Sequence, residues 1–290
     1  MDGNYNAKNV YFDQDFTFTK AVGTVSIPSS GSVVVDAEGK NLYEFFSALF
    51  AAESNPTKTE PSIPSLVLNK AGSYEAGTTV SGITYSATFE DGKYSYGPEP
   101  TGVEVESWEI TDSNSDIVGT AASGNINDVV VSDNTNYYIT AKATYSAGNF
   151  GLTNLGNPST VQIAAGSKTK TSSAIKGYRN TFYGTFDSRD TELNSANIRT
   201  LTASGKTLVE GSTFTLDIPT TALRAVIAVP AGLGITQITH REGLGAPVLS
   251  TFTPVTVSVE GANGNDAIDY DVYYADFNNF SVINHYDVTI

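Results

Sequence analysis

The sequence predicts a mainly β chain of several modules, preceded by a small hairpin and one short helix. Three observations carry this. Thr, Tyr, Val and Gly-Asn turns take the place of the Leu, Lys and Glu that dominate helical proteins. Apolar residues make up 40% of the 290 residues and aromatics 11%, with 16 Tyr and 14 Phe, enough to fill cores and to set aside intrinsic disorder. Short alternating runs, each closed by a turn signal, recur along most of the chain.

Residues 1–60 form the first section. Residues 10–12, 16–19, 24–27 and 33–35 read as short strands, with a turn at Pro28 to Gly31. After Gly39 the period changes. Leu42, Phe45, Phe46, Leu49 and Phe50 recur at i, i+3, i+4, i+7 and i+8, the stripe of an amphipathic helix that stops before Pro56. So aromatic a stripe on so short a helix is expected either to dock on the next domain or to bind another subunit. Pro56, Pro61 and Pro64 then stiffen a connector.

Residues 61–168 hold about seven short β-type runs, the outline of an immunoglobulin-like sandwich. The clearest spans residues 137–145. Tyr137, Ile139, Ala141, Ala143 and Tyr145 fall on one face, while Tyr138, Thr140, Lys142 and Thr144 fall on the other. Tyr137 follows a turn, where such sandwiches place a tyrosine whose hydroxyl ties back to backbone, and Trp108 is expected as the central core aromatic. Val103 and Val105 share a face that Trp108 and Ile110 do not, so a bulge is expected near Ser107.

Residues 166–176 are polar and carry Lys168, Lys170 and Lys176, the only local cluster of positive charge. They read as a solvated linker, with attachment to an acidic partner as the alternative. Residues 177–290 alternate again, as a second sandwich. Strands are expected at residues 178–186, 214–218 and 223–229, with Leu223, Ala225, Ile227 and Val229 inward. Further strands follow at 255–259, 270–274 and 286–290. Residues 195–201 read as a short helix capped by Ser195.

Composition removes several kinds of chemistry. With no Cys, thiol nucleophiles, disulfides and iron-sulfur sites are excluded. A net charge of -15 with scattered Lys and Arg argues against nucleic acid as a partner. The most apolar stretch, residues 225–235, is broken by Pro230, Gly232 and Gly234, so no membrane span is expected. The first residues lack a basic and then apolar leader, so no signal peptide is expected.

Candidate sites are sparse. His240 and His285 sit in no nucleophile elbow and no metal-ligand spacing, and no phosphate-binding glycine loop appears. Asp112 to Asp116 begins like a calcium loop but lacks its Gly and Glu. Asp266, Asp269 and Asp271 read as surface charge that discourages edge pairing. Paired-carboxylate glycosidase chemistry is the remaining enzymatic reading. Tyr94, Tyr96, Tyr138 and Tyr273 are candidates for stacking on sugars, or for bracing cross-strand pairs.

Several stretches together resemble tailed-bacteriophage virion structural proteins, including those of gut phages. They are residues 6–12 with 39–56; 73–80, Ser-Tyr-Glu-Ala-Gly-Thr-Thr-Val; 177–184, Gly-Tyr-Arg-Asn-Thr-Phe-Tyr-Gly, with 198–201, Ile-Arg-Thr-Leu; and 228–231 with 257–264 and 270–273. The resemblance covers nearly the whole chain. It implies a non-enzymatic, cofactor-free component of the virion, assembled in the host cytoplasm, with immunoglobulin-like modules. Expected partners are other virion proteins and further copies of the chain, with a host-surface glycan as an alternative. Leu42, Phe45, Phe46, Leu49 and Phe50 are the expected partner-binding residues.

Overall fold

A computed structural model describes residues 53–278 and 280–290, together with the strands Phe16–Phe18 and Val33–Val35. Those two strands pair antiparallel, Phe16 opposite Val35 and Phe18 opposite Val33. The expected helix at residues 42–50 lies outside the described residues. The remainder is mainly β, divided among many small sheets. The chain forms two compact units that do not follow chain order, because the division falls inside the strands Val105–Asp112 and Ile139–Tyr145.

In the first unit, Lys58–Thr59 pairs with Lys93–Tyr94, and Phe150–Leu152 with Pro158–Gln162. Tyr94, Val103, Tyr145 and Ile163 form its core, with Phe89 packed 5.6 Å from the Tyr145 ring. Tyr94 supplies the tie from side chain to backbone expected of Tyr137. Its hydroxyl donates to Asn149 O at 2.6 Å and accepts from Ile163 N at 2.7 Å. A buried phenol needs both partners, since an unpaired one would cost about 1–3 kcal/mol.

In the second unit, Leu66–Leu68, Ile83–Ala87 and Ser123–Ile126 make one sheet. Ile139–Tyr145, in which the division falls, buries alternate residues as its sequence requires. Trp108 is only half-buried. The alternation breaks at Glu106 and Ser107, both exposed, so its strand changes phase where the sequence demanded it, and Ile110 takes the core position instead. Residues 166–171 and 175–176 lie in strands and do not form a linker. Gly166–Thr171 edges a four-stranded sheet, and Ile175–Tyr178 runs parallel to Gly72–Glu75 and antiparallel to Asn136–Tyr137. An edge strand can remain polar because only one side of it is covered.

The last part of the second unit is a sandwich. A five-stranded sheet has the order Thr202–Ala203, Phe182–Phe186, Arg224–Pro230, Ile268–Asp276, Thr253–Val259. It packs on a four-stranded sheet of Thr213–Ile218, Asn284–Thr289, Gln237–His240 and Ala246–Pro247. Ala225, Ile227 and Val229 face the core between the sheets with Leu216, Ile238 and Val288. Val226 and Ala228 face a second core with Phe182, Tyr270 and Val272, which the helix Ser195–Ile198 covers through Ile198. The unbroken apolar run Ala-Val-Ile-Ala-Val is thus a central strand buried on both faces. Asn194, not Ser195, caps that helix, its side chain accepting from Asn197 N. Val255 points outward at the sheet edge, and Ile290 is tied by bonds to Ser212 and Gly211.

Truncating this central strand should cost the most stability. Ile227→Ala is expected to lower the free energy of unfolding by about 3 kcal/mol, read from the urea midpoint, while Val255→Ala at the exposed edge should stay within about 0.5 kcal/mol.

Candidate functional site

One polar construction in the second unit is a clamp around Glu75, Ala76 and Gly77. Glu75 is the last residue of its strand, opposite Tyr178. Beyond it, Ala76 N donates to Tyr178 O at 2.9 Å, and Ala76 O accepts from Ala262 N at 2.7 Å. Gly77 turns the chain with φ +93°, and a Cβ there would lie 2.6 Å from Ala262 O. Only glycine meets both conditions.

Two arginines close the clamp. Arg199, just past the helix Ser195–Ile198, donates to both carboxylate oxygens of Glu75 at 2.7 and 3.2 Å and to Glu260 O at 2.7 Å. Its guanidinium stands 5.5 Å from the centre of the Phe182 ring. The hydrogen bond to Glu75 raises the Arg199 pKa. Arg179 is 4% exposed and donates to Asp266 twice at 2.6 Å, once to the backbone oxygen and once to the carboxylate. Tyr270 donates its hydroxyl to Asn180 O at 2.9 Å, and burial pushes its phenol up to about 12. An arginine this deep demands its partner, because breaking a buried pair costs about 3–5 kcal/mol.

Five of the short stretches quoted above meet at this point. Residues 73–80 supply Glu75 to Gly77, residues 177–184 supply Arg179 and Asn180, residues 198–201 supply Arg199, residues 257–264 supply Glu260 to Ala262, and residues 270–273 supply Tyr270. Read singly they are turn and core signatures. Folded, they are the parts of one joint.

The two histidines also come together. In the four-stranded sheet His240 lies opposite Tyr286, and His285 opposite Asp217. Glu242 lies between the rings, its Oε1 2.5 Å from His285 Nδ1 and its Oε2 3.6 Å from His240 Nε2. The His285 backbone N–H at 2.8 Å, then the ring N–H, hold the Glu242 carboxyl down to about 2. Being ionised, it accepts from His285 Nδ1. Asn284 donates its amide to Val282 O, so its Oδ1 accepts from His240 Nε2 at 2.7 Å. Each ring thus commits one N–H to a fixed oxygen, and the cluster fastens the turn after Gln237–His240 to the strand Asn284–Thr289.

The remaining sequence candidates fall apart spatially. Leu42, Phe45, Phe46, Leu49 and Phe50 lie outside the described residues. Asp112 spends its carboxylate on its own turn, accepting from Asn114 N and Asp116 N. Asp266 serves Arg179, and Asp271 accepts from Gly232 N at 3.3 Å. Of the four tyrosines, Tyr94 is buried, Tyr273 packs on the main core, Tyr96 is exposed, and Tyr138 is half-exposed. Among the described residues no group of three or more His, Asp and Glu is placed to hold a metal ion, and no helix is long and apolar enough to cross a membrane. No protein-family model matches the chain, and neither a curated protein nor a solved structure matches it.

Two outcomes test these constructions. A double-mutant cycle with Glu75→Gln and Arg199→Met should give a coupling of about 1–2 kcal/mol by denaturant unfolding. The depressed pKa of Glu242 contributes stability above its unfolded value of 4.5 that is lost as pH falls towards 2. Carboxyl NMR titration should place its midpoint near 2, and His285→Ala should move that midpoint upward while the backbone bond keeps it below 4.5.

Proposed function

We propose that this protein is a non-enzymatic structural component of a bacteriophage virion, a tail, fibre or neck protein that works through protein–protein contacts. Its modules are immunoglobulin-like sandwiches spanning 61–168 and 177–290. Residues 1–60 attach it to neighbouring virion proteins through Leu42, Phe45, Phe46, Leu49 and Phe50, and further copies surround it on the particle.

The observation that supports this reading best is the clamp. Stretches far apart in sequence, five of those in which the likeness to virion proteins was read, join two arginine contacts, a glycine turn and a buried tyrosine into one joint. Such a joint fixes the relation between sheets of the second unit, which a part of a mechanical assembly needs. The acidic surface, at -15, keeps many copies apart before assembly. A head-surface decoration or head fibre would use the same features, and the particle location separates these readings.

Phe46→Ser with Phe50→Ser should abolish incorporation into particles while the purified variant still melts cooperatively at the wild-type temperature. Particles that take up the variant at wild-type levels would refute the attachment role. Density for this chain on the head shell would move the assignment from tail to head.

A further inference from the structure

The five-stranded sheet ends on an edge unlike the other long ones. Thr253–Val259 bonds to Ile268–Asp276 on one side and has no strand on the other. Edge strands are usually guarded by charge. Gly166–Thr171 carries Lys168 and Lys170, and Thr213–Ile218 carries Asp217. Thr253–Val259 carries no charged residue, in a chain whose net charge is -15. Thr253 to Thr256 and Ser258 are exposed.

The ladder decides which backbone groups this edge offers. On the inner side Ala231 N donates to Asp269 O, and Phe277 N to Leu223 O, so the odd-numbered residues of Ile268–Asp276 bond towards Arg224–Pro230. The even-numbered ones, Ile268 to Tyr274, therefore bond to Val259, Val257, Val255 and Thr253. Pro254, Thr256 and Ser258 point their backbone groups away from the sheet. Pro254, with no N–H, fits only that side. At the next outward position Glu260 is already engaged. Its N–H donates to Ser195 Oγ at 3.0 Å, and its oxygen accepts from Arg199 at 2.7 Å. Among the described residues nothing bonds to the N–H or C=O of Thr256 or Ser258.

The free stretch is thus closed at Pro254 and at Glu260, equally far from Val257 on either side. A stretch with symmetric stops is complementary to itself. We infer that Thr253–Val259 pairs with the same strand of a second copy, antiparallel about a twofold axis at Val257, making one sheet continuous through both chains. Thr256 then exchanges both backbone bonds with Ser258 of the second copy, and Ser258 with its Thr256. Val257 meets its own counterpart. Val255, 37% exposed, lies opposite Val259 of the second copy and gains apolar cover. Charge does not oppose the contact. Asp271 stands opposite Thr256 and Asp269 opposite Ser258, so across the join these carboxylates are about 14 Å apart, beyond the Debye length of about 8 Å at physiological salt. The pairing rests on the reading that copies of this chain gather on a particle, where local concentration multiplies a short contact. It is separate from attachment through residues 42–50.

Sedimentation equilibrium of the full chain, from micromolar to millimolar concentration, should show a reversible dimer that strengthens as salt screens the net charge. Amide exchange followed by NMR should slow about tenfold at Thr256 and Ser258 once most of the protein is dimeric. It should change less at Val255 and Val257, whose amides already bond inward. Thr256→Pro removes only an outward N–H, so it should abolish the dimer at the wild-type melting temperature, and Ser258→Pro should do the same. A chain that stays monomeric to millimolar concentration, or a dimer whose Thr256 and Ser258 amides exchange at the monomer's rate, would overturn the inference. So would a folded variant of either kind that dimerises like the wild type. Particle incorporation of the Phe46→Ser, Phe50→Ser variant tests the attachment role separately.

Discussion

The ion pair between Arg199 and Glu75, 124 residues apart, is the contact around which the second unit is organised. Glu75 ends the strand that runs parallel to Ile175–Tyr178, and Arg199 follows the helix that covers the outer core of the sandwich. Where they meet, the backbone of Ala76 and Ala262 can approach only because Gly77 and Gly261 carry no side chain. The charges therefore act less as a source of energy than as a lock on register, since a shift of one residue would separate both carboxylate contacts and press a side chain into a carbonyl. Arg179 and Asp266 repeat the device on the other side of the same loop.

What was legible in the sequence was what local pattern determines. Ile139 to Tyr145 alternates and is half-buried, and Arg224–Pro230 carries an unbroken apolar run and is buried on both faces. For Trp108, size and aromaticity suggest a core, whereas burial is set by the phase of its strand after the break at Glu106 and Ser107, which leaves it half-buried. Gly166–Thr171 gives no strand signal in the sequence because an edge strand leaves one side to water and shows no apolar alternation. Asn194 and Ser195 are both good caps, and only the backbone decides between them.

The sites were less legible, for a related reason. Neither His240 nor His285 has a partner at motif spacing, yet strand pairing places both on Glu242. The row of Asn136, Lys176 and Ser73 depends on a parallel pairing between residues 72–75 and 175–178, which no short stretch announces.

The parallel pairing of Gly72–Glu75 with Ile175–Tyr178 also sets how the chain would bear tension. A pull entering before residue 72 and leaving after residue 178 draws the two strands along each other, so their evenly spaced bonds stretch in concert instead of opening one by one like a zip. Force then crosses directly from one strand to the other. Asn136–Tyr137, reached only after the long excursion from residue 76, pairs with the other edge of Ile175–Tyr178 and braces it against that sliding.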